Sequence, residues 1–189
     1  MKQLLLLLAL LPFYASAQKV ELDKVDEHGD RYIYCSFESA RSLSDKFVFF
    51  ASLNAVAKKS DSDDVIYTLF LRTNANVPLS VPKGGRLLIK LQDDSTIELK
   101  TDIEYSDKVG EVRSSQLMVY TNYSITPMFT LTKEQIEMIS KGVNKIRLET
   151  ITGPIDKAYK KDKIGKIVKA EYRLINEALK ENKSFNDDF

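Results

Sequence analysis

The sequence predicts an α+β fold: a largely antiparallel β-sheet or β-sandwich with one short helix and a C-terminal amphipathic helix packed on it. Three observations lead there. Runs of β-branched and aromatic residues, separated by turn residues, recur from Arg31 to Ile151. The last long segment switches to helical spacing. Strand and helix patterns do not alternate regularly, which argues against a doubly wound parallel sheet.

In chain order, Gln18 to Asp30 is polar and reads as a mobile lead-in. Arg31 to Phe37 alternates Tyr32, Tyr34 and Ser36 with Ile33, Cys35 and Phe37, as a pleated surface requires. Lys46 to Lys58 reads as a long strand on the strength of Val48 and its three phenylalanines. The polar segment KKSDSDD joins it to Val65–Arg72, which is apolar at nearly every position and suits a central strand buried on both faces. After a Pro- and Gly-rich turn region, Arg86–Gln92 and Thr96–Thr101 form a hairpin about Asp93-Asp94-Ser95. Gln116–Ile125 is a further strand, ended or bent by Pro127.

Thr132-Lys133-Glu134-Gln135 is a capping box. The Thr132 hydroxyl accepts from the Gln135 backbone, and the Gln135 side chain reaches back. Gly142 closes that short helix and Val143–Ile151 returns as a strand. Gly153-Pro154 is expected to break the chain. From about Lys163 to Asn182, at ~100° per residue, Ile164, Val168, Tyr172, Ile175 and Leu179 share one arc. Lys166, Lys169, Arg173 and Lys180 lie opposite and read as a solvated face. Glu171 falls in the middle of the apolar arc, so it must be paired, protonated or at the edge of the packing. Arg147 and Lys145 are the expected partners.

The first seventeen residues, MKQLLLLLALLPFYASA, read as a signal peptide. Lys2 is the positive start, Leu4–Leu11 the apolar run, and Ala15-Ser16-Ala17 the small-x-small cleavage signal. The run is shorter than the ~20 apolar residues of a membrane span, so no transmembrane segment is expected after cleavage. The expected organisation is 1–17 signal peptide, 18–30 flexible lead-in, 31–182 a single β-rich domain with its C-terminal helix, and 183–189 a tail. Without Lys2, 27 basic residues face 27 acidic ones. Such a balance sets up no global field for nucleic acid. The single cysteine, Cys35, forms no internal disulfide and sits mid-strand as an inert thiol. The residue after the cut is Gln18 rather than a lipidated cysteine. The expected localisation is therefore periplasmic or secreted.

Constellations that carry chemistry are sparse. The one histidine, His28, falls in the lead-in, so no serine or cysteine nucleophile has an evident imidazole base, and zinc lacks its ligands. Asp61, Asp63 and Asp64, and the pair Asp93-Asp94, lack the glycine and distal glutamate of an EF-hand. No catalytic, cofactor-binding or metal-binding residue is assigned, and no cofactor is implied. The basic run Lys157, Lys160, Lys161 and Lys163 is the candidate for an anionic partner, with a solvated loop as its alternative reading.

The segments RLLIKLQDDSTIELKT, FTLTKEQIEMISKGVNKIRLET and KKDKIGKIVKAEYRLINEAL resemble uncharacterised exported proteins of Bacteroides-type bacteria. The resemblance runs from Gly84 to Leu179 with a gap at 102–128. It implies a β-rich envelope or secreted protein and carries over no catalytic residue.

The reading that results is an exported, non-catalytic binding or interaction module, its partner another envelope protein or a glycan. One alternative is a carboxylate-based hydrolase of glycan or peptidoglycan, which needs two acids facing each other in a cleft. The other is a subunit of a surface assembly that adds a strand to a neighbour.

Overall fold

The computed structural model describes residues 18–40, 47–59, 64–114 and 118–188. The proposed signal peptide, Asp61 and Asp63 lie outside the described residues. In chain order the strands are β1 (Val20–Val25), β2 (Arg31–Cys35), β3 (Glu38–Ser39), β4 (Val48–Ala57), β5 (Val65–Ala75), β6 (Leu79–Val81), β7 (Arg86–Leu91), β8 (Thr96–Lys100), β9 (Tyr105–Asp107), β10 (Glu111–Ser114), β11 (Val119–Ile125) and β12 (Met128–Leu131). Helix α1 (Lys133–Ser140), strands β13 (Val143–Thr150) and β14 (Gly153–Ala158), helix α2 (Ile164–Ala178) and a short 3-10 turn at Phe185–Asp188, within the expected tail, follow in order. It is α+β, mostly antiparallel and sandwich-like.

The large sheet runs β1-β2-β4-β5-β11-β10, with β12 also on β5 and β3 on β4. A four-stranded sheet runs β14-β13-β7-β8, and β6 pairs with β9. Inner residues of both larger sheets and both helices join one continuous apolar cluster, from Ile33, Phe49, Leu53 and Leu69 through Leu87, Ile89 and Ile146 to Val168 and Ile175. Burying such surface stabilises by ~25 cal/mol per Å² of apolar area, and it is this burial that holds α2 against β4.

The sheet pattern differs from expectation in three places. The lead-in contains β1, which pairs antiparallel with β2. Arg31 fixes it: its guanidinium makes two bonds to the Asp23 carboxylate, at 2.8 and 2.7 Å, and a third to the Glu181 carbonyl at 2.7 Å. That ties the first strand to the chain beyond α2. Gly153-Pro154 does not end the sheet; Gly153, at φ 126, turns the chain into β14, which pairs with β13 as far as Lys145↔Ala158. Pro154 is tolerated because β14 is an edge strand. Third, β5 is buried on one face only. Tyr67, Leu69, Leu71 and Thr73 point inward, while Phe70 and Arg72 stay half-exposed on the other side.

Other expectations hold. The capping box is complete, with Gln135 N–H to Thr132 Oγ1 at 3.2 Å and Thr132 N–H to Gln135 Oε1 at 2.9 Å. Gly142 follows α1 at φ 131, a conformation that disfavours a side chain. Pro127 bends the chain between β11 and β12, both of which remain on β5.

Candidate functional site

The site begins with one extra residue. The β2–β4 ladder runs to Tyr34↔Asn54, and pairing resumes on β3 at Glu38↔Ala51. Cys35, Ser36 and Phe37 thus face only Ser52 and Leu53, which makes a β-bulge. Side chains replace the lost ladder bonds on the β2 side. Asn54 Oδ1 accepts the Cys35 N–H at 3.0 Å, and the Ser52 hydroxyl donates to the Cys35 carbonyl at 2.7 Å. On the β4 side the Leu53 N–H donates to Glu171 Oε2 of α2 at 2.6 Å.

Glu171 is 0% exposed. Burial pushes its carboxyl up to about 8, the Leu53 N–H opposes that shift, and the nearby Glu38 carboxylate adds to it. Its Oε1 has no partner among the described residues. Arg147 and Lys145 do not reach it, contrary to expectation. They grip Asp156 across the β13–β14 hairpin, at 2.6 and 2.8 Å for Arg147 and 2.6 Å for Lys145, and hold that carboxyl far below the usual range. Sequence spacing placed Glu171 on the apolar face correctly. It gave no sign that a backbone amide 118 residues away lacked a partner.

On the outer face the bulge has a second effect: it carries the Phe37 ring over β5. There the Arg72 guanidinium lies between two rings, 4.4 Å from the Phe37 centroid and 4.7 Å from that of Phe50, its cross-strand neighbour. Phe70 extends the row, with ring centroids 6.4 Å from Phe37 and 6.2 Å from Tyr34. All five side chains are half-buried. Arg72 Nε is shielded from solvent and has no hydrogen-bond partner, and no carboxylate ion-pairs with Arg72 among the described residues. A planar cation with its donors unfilled and its faces covered is a ready receptor for a carboxylate, sulfate or phosphate.

The predicted basic run lies elsewhere. Lys157 is on β14, 5.9 Å over the Tyr159 ring; Lys160 and Lys161 are exposed; Lys163 is half-buried just before α2. Between them Asp162 accepts the N–H groups of Val143 and Gly165, at 3.1 and 2.9 Å, stitching the start of α2 to β13. Asp93 is likewise a turn residue, accepting from the Ser95 N–H and hydroxyl at 3.0 and 2.6 Å. Cys35 is buried, and burial pushes its thiol up to about 12. Sequence reading missed Arg72 altogether. Its one signal was a strand apolar on both faces that still ended in an arginine.

Fold and site together define a β-rich α+β scaffold whose large sheet has an open outer face with an aromatic-clamped cation upon it. No helix of the described residues is long and apolar enough to cross a membrane. Comparison of the chain with family models, curated proteins and solved structures found no match.

Proposed function

We propose that this is an exported, non-catalytic binding module whose outer sheet face takes an anionic saccharide. The observation that carries the reading is Arg72, clamped between Phe37 and Phe50 with its Nε unpartnered. The half-buried guanidinium has no hydrogen-bond or ion-pair partner among the described residues, and a bound carboxylate or sulfate would supply one at its solvent side. The adjoining rings of Phe70 and Tyr34 supply the apolar surface on which sugar rings pack. Export is supported by the leader pattern of residues 1–17. The hydrolase alternative draws no support from Glu171, the one strongly desolvated acid among the described residues: it is sealed from solvent and bonded to backbone, so no glycosidic oxygen reaches it.

Calorimetric titration with polygalacturonate, against neutral dextran as control, tests the reading. Binding to the acidic polymer alone is expected, weakening as salt rises. Arg72→Gln is expected to weaken it by roughly tenfold or more. Equal binding to dextran, no binding to either polymer, or an unaffected Arg72→Gln variant overturns it.

A further inference from the structure

Strand β10 and the start of β11 stand apart from the core. Val109, Val112 and Val119 are 88%, 72% and 72% exposed, and Met118 and Tyr120 are exposed beside them. Every residue of β10 is exposed, and β10 ends the large sheet, paired on one side only, with β11. Soluble proteins usually guard such an edge with proline, a bulge or unmatched charge. Here the edge sequence is Glu111-Val112-Arg113, an acid and a base placed symmetrically about a valine.

We propose that β10 is a homotypic docking edge, pairing antiparallel with β10 of a second copy of this chain about a twofold axis at Val112. In that register Glu111 lies opposite Arg113 of the second copy, and Arg113 opposite its Glu111. The charges that repel an unrelated strand thereby match an identical one. Arg113 already bonds Glu111 within its own strand, at 2.7 and 3.1 Å, so both side chains stand on one face. Pairing sets each guanidinium between two carboxylates. On the opposite face, Val112 and Val119 share a side, because Val112↔Thr121 and Ser114↔Val119 are in register. Two copies unite four valines into one apolar strip and continue the sheet from one protein into the next. This inference is independent of the saccharide reading, since Arg72 plays no part in it.

Sedimentation equilibrium of the exported chain is expected to show a reversible dimer. Glu111→Lys places like charge opposite Arg113 in both symmetric pairs and is expected to weaken the dimer roughly tenfold. The double variant Glu111→Lys/Arg113→Glu restores the match and is expected to recover it. Both positions are exposed, so folding, checked by circular dichroism, is expected to be unchanged. Val112→Cys is expected to give a covalent dimer on mild oxidation, with Cys35 buried and uninvolved; Val109→Cys is the control. A chain that stays monomeric up to its solubility limit, a dimer indifferent to Glu111→Lys, or equal cross-linking at 109 and 112 overturns the proposal.

Discussion

The carboxyl of Glu171 accepts the backbone N–H of Leu53 at 2.6 Å and so closes, from a helix, a gap in a sheet that the sheet's own strands leave open. With the Glu171 pKa raised from 4.5 to about 8, the native state binds a proton over that interval that the unfolded chain has released. Stability therefore falls as pH rises from ~5 toward 8, with a slope approaching about 1.4 kcal/mol per pH unit. Glu171→Gln keeps an oxygen for Leu53 and carries no charge. It is expected to flatten this slope in urea titrations run from pH 5 to 8. Arg147→Ala, which touches Asp156 instead, is expected to leave the slope intact; loss of the slope in Arg147→Ala would count against this assignment.

The stabilising and destabilising contributions of Arg72 to the fold nearly cancel. Replacing it by Met removes two cation–π contacts, worth ~0.5–1 kcal/mol each, but also an unfilled donor that costs ~1–3 kcal/mol. The melting temperature of Arg72→Met is expected to hold or rise while affinity for the acidic polymer is lost, as is usual at binding sites. A fall of many degrees would assign Arg72 a structural role.

Burial of Cys35 and its upward-shifted thiol predict chemical silence. At pH 8 the native protein is expected to show almost no reaction with an aromatic disulfide reagent over minutes, and one equivalent in denaturant. Rapid reaction of the native chain contradicts the core placement of β2.

The capping box predicts a modest, local effect. Thr132→Ala removes the bond to the Gln135 N–H and is expected to cost about 1 kcal/mol in chemical denaturation. Thr132→Ser is expected to be close to neutral. A Thr132→Ala variant as stable as wild type would mean that packing of Ile136 and Ile139 alone holds α1.

Local signals were legible in the sequence, and long-range ones were not. The Thr132–Gln135 box, the β7–β8 hairpin and the apolar arc of α2 are set by residues within a few positions of one another, so spacing reveals them. The strand in the lead-in depends on Arg31 gripping Asp23 and the Glu181 carbonyl, a partner 150 residues away. β14 depends on β13 offering an open edge after Gly153, where local propensity indicated a stop. Arg72 carries no local signal of a site. Its surroundings come from Phe37, which shares its face with Tyr34 only because one extra residue shifts the phase of the chain between β2 and β3. The four lysines before α2 drew notice as a charge run, whereas Asp162 among them makes the bonds that position the helix.

That extra residue couples sheet and helix. Deleting Ser36 would let Cys35, Phe37 and Glu38 zip onto Leu53, Ser52 and Ala51 without interruption and supply Leu53 with an ordinary strand partner. Phe37 would stay opposite Ser52, on the face of Arg72, so the clamp would survive while Glu171 became a stranded acid. Natural variants of this chain are therefore expected to keep Ser36 and Glu171 together or to exchange both, because a lineage that mends the backbone orphans the carboxyl.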